Sequence, residues 1–501
     1  MTYARDHCPA WIGCCRKRGR MRRAVVAGVT CLLVGGVGYA AADVVDIAPG
    51  ILTYDGAPVD PPTPTGSSSA SPTWAALPSP TASGASAPPS AVAAAVPTAA
   101  GLTKAIGALS KDPWLGPSVG ISVRDGLTGT ELYAVQPNVA RAPASTLKLL
   151  STLAVTQHVD LDARMTTKVV TGDTPNQIVL VAGGDTLLGG GASNPTAVEG
   201  RAGIATLADQ VAQSLTDRSA GAVTLRIDAT YAAGPRYPAT WKKEDIAAGF
   251  SQSVSMLDLV SQRAGGGRAA PRVPEAGVAS ALAKALTARG HATTVLPLSG
   301  HGTAAPASAT ELGAVESATY GEHLETALLH SDNALTENLV RQAMVADGQS
   351  PAAPLAPPQF VVKSLAEAGV PTAGLKLLDV SGLSPGQTVT ATALSDVLTL
   401  ATTGKLPELR RAIATLPVSG LSGSLSDRYR NKQTKGVAGI PRAKTGTLKG
   451  ISSLAGTTVD ADGRLLTFVV LADRVPPSSG TLGARAALDR FVTALTLCGC
   501  T

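Results

Sequence analysis

No cysteine falls between residues 32 and 497 of this 501-residue chain. The long body is therefore not built on disulfides, and it has no thiolate spacing for zinc. Aromatic residues make up only 3% of the chain. The histidines (His7, His158, His291, His301, His323 and His330) show no metal-ligand spacing, so neither a metal nor another cofactor is expected. The body also lacks an excess of either charge. The net charge of +6 is carried entirely by residues 1–42, where seven cations stand against one acid, and beyond them 35 cations balance 35 acids. Without a basic surface or stacking rings, no nucleic-acid partner is expected.

What is present at the N-terminus indicates a compartment. The 19 residues from Ala24 to Ala42 carry no charge and directly follow a cationic run, Arg16 to Arg23. Cations on that side hold the N-terminus in the cytoplasm and send the rest of the chain across. Two readings stand. Ala40 and Ala42 suit signal-peptidase cleavage before Asp43, and the segment is also just long enough to remain as a membrane anchor. Either way the body is extracytoplasmic, in the cell envelope, secreted or membrane-anchored. Cys31, followed by Leu-Leu-Val, is poorly placed for lipidation. Between Asp60 and Lys104 lie 43 consecutive uncharged residues rich in Pro, Ala, Ser and Thr, too poor in apolar surface to order themselves. The expected organisation is a basic cytoplasmic segment 1–23, a signal peptide or anchor 24–42, a linker 43–103 and a folded body from about Lys104. Cys498 and Cys500, at the far end, read as a frayed tail.

Within the body, Val119, Ile121 and Val123 alternate ahead of Asp125-Gly126 and Leu132-Tyr133, a hairpin pattern. Pro143 then opens a leucine-rich stretch that reads as a buried helix. GVASALAKALTARG (277–290) is helical in period, and EHLETALLHSDNALTENLV is helical with a break near Ser331. ISSLAGTTV (451–459) and LLTFVVLAD (465–473) read as strands, followed by a helix from about Gly483 to Leu495. A sheet covered by helices is the layering that this order favours.

Three short motifs carry chemistry. Ser145-Thr146-Leu147-Lys148 puts a hydroxyl and an amine three residues apart, on one face of a helix. A partly dry lysine with a lowered pKa can act as the base that a serine nucleophile needs. Ser331-Asp332-Asn333 can relay a proton to a leaving amine through Ser331 and hold a substrate amide through Asn333. Cap and turn chemistry would use the same residue types. Lys444-Thr445-Gly446-Thr447 precedes a strand: Lys444 adds positive potential, the hydroxyls of Thr445 and Thr447 can bind a carboxylate, and Gly446 leaves room for a substrate backbone. A rival, Gly382-Leu383-Ser384-Pro385-Gly386, matches the nucleophile-elbow pattern, but Pro385 has no N–H for an oxyanion hole and the stretch reads as a loop.

The three motifs, in this order, resemble those of penicillin-binding proteins and serine β-lactamases. The resemblance extends to VRDGLTGTELYA (123–134), IVLVAGGDTLL (178–188), LLDVSGLSPGQTVTATAL (377–394) and LSGSL (421–425). The body is most similar to the low-molecular-mass class C penicillin-binding proteins, the D-alanyl-D-alanine carboxypeptidase/endopeptidases of peptidase family S13. The 186 residues from Ser145 to Ser331 mark this subgroup. Val380 stands where the family pattern has glycine. The resemblance implies an α/β (α+β) transpeptidase-like fold: an antiparallel sheet with helices on both faces, formed by 104–165 and 315–501 and interrupted by an inserted domain at 166–314. It implies a serine D-Ala-D-Ala carboxypeptidase, with DD-endopeptidase activity open, acting on peptidoglycan stem peptides and trapped by β-lactam antibiotics. Ser145, Lys148, Ser331, Asn333 and Lys444 would be catalytic, Thr445, Gly446 and Thr447 would bind substrate, and the backbone N–H groups of Ser145 and Thr447 would form the oxyanion hole. A β-lactamase or esterase on the same scaffold, and a tethered non-enzymatic scaffold, are the alternatives. Oligomeric state is not legible in the sequence.

Overall fold

The structure, a computed structural model, describes residues 94–265 and 267–500. The segments 1–23 and 24–42, and the linker as far as residue 93, lie outside the described residues. Among the described residues no helix is long and apolar enough to cross a membrane.

The strands form two sheets of five. Strands β1 (Val119–Asp125), β2 (Glu131–Val135), β8 (Arg442–Leu448), β9 (Ile451–Val459) and β10 (Leu465–Ala472) make the first, and β3 (Arg164–Thr171), β4 (Gln177–Val181), β5 (Val223–Asp228), β6 (Thr293–Val295) and β7 (Glu311–Thr319) make the second. The first sheet is antiparallel throughout, in the order β2-β1-β10-β9-β8, which leaves β8 at an edge. Alternation along β10 explains its two covered faces. Phe468 and Val470 join Ile121, Val123 and Leu454 in a core closed by helices α1 (Ala99–Ile106) and α10 (Gly480–Thr496). Val469 and Leu471 point the other way, into the main helical core.

At the centre of that core is α2 (Lys148–His158), every residue of which from Lys148 to Thr156 is buried. Two of its hydroxyls bond locally, Thr152 Oγ1 to the carbonyl of Lys148 at 2.7 Å and Thr156 Oγ1 to that of Leu153 at 3.0 Å, whereas Ser151 Oγ donates to the distant Val380 carbonyl.

The chain leaves the first sheet after α2 and returns along β7, which pairs antiparallel with β3 from Arg164↔Thr319 to Val170↔Glu311. On the other side of β3 lie β4, antiparallel to it, and then β5 and β6, which run parallel to β4. Helices α3 (Ile204–Asp217) and α4 (Pro274–Thr287) bury Leu207, Val211, Leu282 and Leu286 against Ile178, Leu180 and Leu225 of this second sheet. From β7 the chain enters α5 (Tyr320–Leu329), through a Thr319/Glu322 capping box, and then α6 (Asn333–Ala346), so the expected break at Ser331 is observed. Helices α7 (Ala356–Glu367), α8 (Ala391–Thr402) and α9 (Pro407–Ile413) complete the main core.

Two expectations about the ends are corrected. Helix α1 starts at Ala99, ahead of Lys104, and Leu102 is fully buried. The C-terminal tail is not frayed: Cys498 and Cys500 are buried and disulfide-paired with each other, and the amide and hydroxyl of Thr98 donate to the Cys500 carbonyl at 2.7 and 3.1 Å. The two ends of the fold thus clasp each other, giving the terminal polar groups partners that a free tail would lack.

Candidate active site

Ser145 lies on a one-turn 3₁₀ helix, Ala144–Leu147, that runs directly into α2. Thr146 Oγ1 bonds the Pro143 carbonyl at 2.7 Å and pins the turn. Ala144 has φ of 47°, a left-handed conformation costing about 1–3 kcal/mol for a residue with a Cβ, which persists where surrounding packing enforces it. Lys148 opens α2. Its Nζ donates to Ser145 Oγ at 3.1 Å, to Asn333 Oδ1 at 2.6 Å and to the Ser381 carbonyl at 2.7 Å. Burial pushes the Lys148 amine down to about 8, against the opposing pull of Asp379, Asp332 and Glu337. About a tenth of the amine is therefore uncharged near neutral pH, far more than for an ordinary lysine, and it stands beside a hydroxyl.

The Ser331-Asp332-Asn333 turn separates α5 from α6. Ser331 takes φ of 56°. Asp332 is the N-cap of α6, accepting from the Leu335 amide at 2.9 Å, and its other oxygen pairs with Arg263. Asn333 is held at both ends: Oδ1 accepts from Lys148, and Nδ2 donates to the Phe250 carbonyl at 2.8 Å. The Ser331 hydroxyl makes no hydrogen bond among the described residues, so Lys148 and Asn333 are bonded to each other while Ser331 is adjacent in the turn without a bond to either lysine.

Lys444-Thr445-Gly446-Thr447 lies on β8. The Ala443 amide points away from β9, to the Pro417 carbonyl at 2.9 Å. By the alternation of an antiparallel strand, the backbone groups of Thr445 and Thr447 point outward from the sheet edge too. Lys444 is fully buried, and its ammonium has one hydrogen bond, to the Thr445 carbonyl at 3.2 Å. Burial, and then the charge of nearby Lys148, push Lys444 well below its ordinary value. Thr445 Oγ1 bonds Ser424 Oγ at 2.8 Å, which brings LSGSL to the cleft. The expected reason for Gly446 is corrected. A Cβ there would lie 2.1 Å from Ser453 Oγ, 2.6 Å from the Pro143 carbonyl and 3.1 Å from the Ser145 amide. The space it leaves is filled by the nucleophile turn, because β8 passes directly against that turn.

Several functional candidates were not picked out individually in the sequence. The loop after α7 wraps around Asp379, whose Oδ1 accepts from the amides of Ser381 and Gly382 and from Gln387 Nε2 at 3.1, 2.7 and 2.7 Å. Its Oδ2 accepts from the Ser384 amide and Trp241 Nε1 at 2.6 and 2.8 Å. This shapes the carbonyl that meets Lys148. Asp379-Val380-Ser381-Gly382 carries a turn signal, but its target is visible only in three dimensions. Ser384 of the rejected elbow is indeed on this loop, buried, with its Oγ against Thr240 Oγ1 at 2.6 Å. Val380 is buried, and its amide bonds Glu337 at 2.9 Å. Glu337, one turn along α6 from Asn333, is pushed up to about 8 by burial and then by Asp379. Among the described residues no group of three or more His, Cys, Asp or Glu side chains gathers as a metal site would.

Comparison with known proteins shows the family and the fold. The D-Ala-D-Ala carboxypeptidase 3 (S13) family matches residues 102–275 and 267–495. Carboxypeptidase DacB of Mycolicibacterium smegmatis is 33% identical over 80% of this chain and 85% of its own, and a carboxypeptidase of Mycobacterium tuberculosis is 34% identical over the same shares. Among solved structures, penicillin binding protein 4 (dacB) of Haemophilus influenzae superposes with a TM-score of 0.61 at 18% identity, covering 77% of this chain and 98% of that one, so the fold is the penicillin-binding type expected. The chain therefore belongs to the D-Ala-D-Ala carboxypeptidase 3 (S13) family and is a serine D-Ala-D-Ala carboxypeptidase.

Proposed function

We propose that Ser145 is the nucleophile of this carboxypeptidase and that Lys148 is its general base. The observation that carries the reading is the position of the Lys148 amine, 3.1 Å from Ser145 Oγ and lowered to about 8. Lys148 Nζ takes the Ser145 proton as Oγ bonds to the carbonyl carbon of the penultimate D-alanine of a peptidoglycan stem peptide. The carbonyl oxygen becomes an oxyanion facing the amides of Ser145 and Thr447, each donor contributing about 3 kcal/mol. The C–N bond then breaks, and the terminal D-alanine leaves with the proton that Lys148 took from Ser145, relayed through Ser331, which leaves Lys148 uncharged again. Water, giving up a proton to Lys148, attacks the acyl carbon; the Oγ–C bond breaks, and Lys148 returns the proton to Ser145 Oγ as the shortened peptide leaves. Asn333 holds the substrate amide and Lys148 in register. Lys444, Thr445 and Thr447 receive the terminal carboxylate, and the outward edge of β8 pairs with the substrate backbone. Endopeptidase action on a cross-link uses the same acyl-enzyme with a longer leaving amine.

The role is extracytoplasmic, in the cell envelope. We place the catalytic domain at about 99–165 and 315–501 and the inserted domain at about 166–314, an outline supported by the β3–β7 pairing where the chain leaves and returns, although these bounds fall inside the two strands, and segment 24–42 exports or anchors the chain. Intact mass after incubation with benzylpenicillin, beside Ser145→Ala, tests the reading. A persistent adduct on the wild type alone is expected, with an acylation rate that rises with pH through about 8, as the base form of Lys148 requires. Rapid drug turnover would favour a β-lactamase, and no adduct with no hydrolysis would favour a non-enzymatic scaffold.

A further inference from the structure

We propose that Arg263 is a positioning residue for the acylation step: delivered by the chain segment that carries the second sheet, it locks Asp332 and thereby the turn that presents Asn333 to Lys148. The inference rests on the reading of Ser145 and Lys148 given above.

Asp332 has two partners on two elements. One carboxylate oxygen caps α6, and the other is taken by the Arg263 guanidinium. The arginine is itself anchored, donating to the Thr186 carbonyl at 3.1 Å and to Thr186 Oγ1 at 3.3 Å, and its side chain is only 12% exposed. The same segment supplies a second support at Phe250, whose carbonyl receives Asn333 Nδ2. The Ser331–Asn333 turn thus hangs from residues 250 and 263, neither of which belongs to the helices it joins. Ser331 is in the left-handed region, so the turn depends on such outside support to keep its shape.

The pair also balances charge around the base. Lys148 faces Asp379, Asp332 and Glu337, with the amine of Lys444 across from it. Arg263 faces Asp332, Asp258 and Glu199. With Arg263 present, the Asp332 charge is compensated. Without it, Asp332 acts unopposed on Lys148, favours the ammonium form and leaves less free amine at a given pH.

The test uses the exported chain and the variants Arg263→Gln, Arg263→Lys, Asp332→Asn, the double variant R263Q/D332N and Ser145→Ala, with folding checked by circular dichroism. The readouts are the rate constant for acylation by benzylpenicillin from pH 5.5 to 9.5, and kcat and KM on a D-Ala-D-Ala peptide. For Arg263→Gln the expected result is acylation slowed roughly ten- to a hundredfold, with kcat falling and the acid limb moved to higher pH. Arg263→Lys restores the limb but only part of the rate, because lysine lacks the planar fork. Asp332→Asn moves the limb to lower pH, and the double variant returns it toward the wild-type position while acylation stays slow. If Arg263→Gln alone does not fold, the double variant, which removes the Asp332 charge along with its partner while Asp258 keeps its hydrogen bonds from Gln252, Gln262 and the Leu259 amide, carries the test. A folded Arg263→Gln with a wild-type limb, a loss confined to KM, or a double variant at full speed overturns the proposal. Ser145→Ala separates the two ideas: an adduct on that variant defeats the nucleophile reading, whereas its absence leaves that reading standing whatever Arg263 does.

Discussion

Replacing Asp379 with asparagine tests how the loop under the base is built. The carboxylate takes five donors, three on Oδ1 and two on Oδ2, all from buried groups. An asparagine offers one oxygen and turns an NH₂ toward the donors on the other side. If the amide oxygen takes the place of Oδ1, the Ser384 amide and Trp241 Nε1 lose their acceptor. If it takes the place of Oδ2, three donors do. Each buried donor left unpaired costs about 1–3 kcal/mol, so with two lost the fold is destabilised by about 2–6 kcal/mol. A second effect runs through charge. Asp379 is the foremost of the acids that hold Lys148 up, so its loss lowers the amine below about 8 and moves the acid limb of acylation to lower pH. Urea denaturation measures the first effect and benzylpenicillin acylation against pH the second. A destabilisation below about 1 kcal/mol, or a limb that moves upward, would refute the hydrogen-bond accounting or the electrostatic argument respectively.

Gly446→Ala pushes a methyl against the Pro143 carbonyl and Ser453 Oγ, so a stability loss of about 1–3 kcal/mol is expected together with a larger fall in acylation than in binding of the stem peptide. Thermal unfolding and acylation kinetics check this, and wild-type kinetics would mean that β8 does not brace the nucleophile turn. Glu337→Gln tests the buried carboxyl on α6. Its folded value, about 8, lies above its ordinary 4.5, so its favourable contribution is complete below about 4.5 and is lost as pH rises through about 8. The variant should therefore gain stability relative to the wild type between pH 5 and 8, and a difference in Tm independent of pH would contradict the burial argument.

The Ser145/Lys148 pair was legible because helical spacing alone brings residues three apart together, and Lys148 Nζ does meet Ser145 Oγ. The break at Ser331 was legible because Ser, Asp and Asn in succession interrupt a helical period and cap the next helix. Gly446 was picked out correctly as a close approach, but to the wrong neighbour, since a glycine announces that something is near without saying what. The frayed-tail reading of Cys498 and Cys500 failed because the partner that buries the tail, Thr98, is 402 residues away.

By itself, then, the sequence determined the chemistry on offer: a serine with a lysine at helical spacing, a polar turn and a lysine-threonine-glycine strand, in a body with no cysteine between residues 32 and 497. It could do so because local spacing and residue type suffice to set which groups share a helix face or a strand edge. Tertiary structure alone decided which distant residues hold those groups in place. Trp241 reaches Asp379 across 138 positions and Arg263 reaches Asp332 across 69. Periodicity reports that a residue is buried, whereas the identity of its partner depends on how whole layers pack, and it is the packing that brings Phe250 and Arg263, from the segment between β5 and β6, to the catalytic turn.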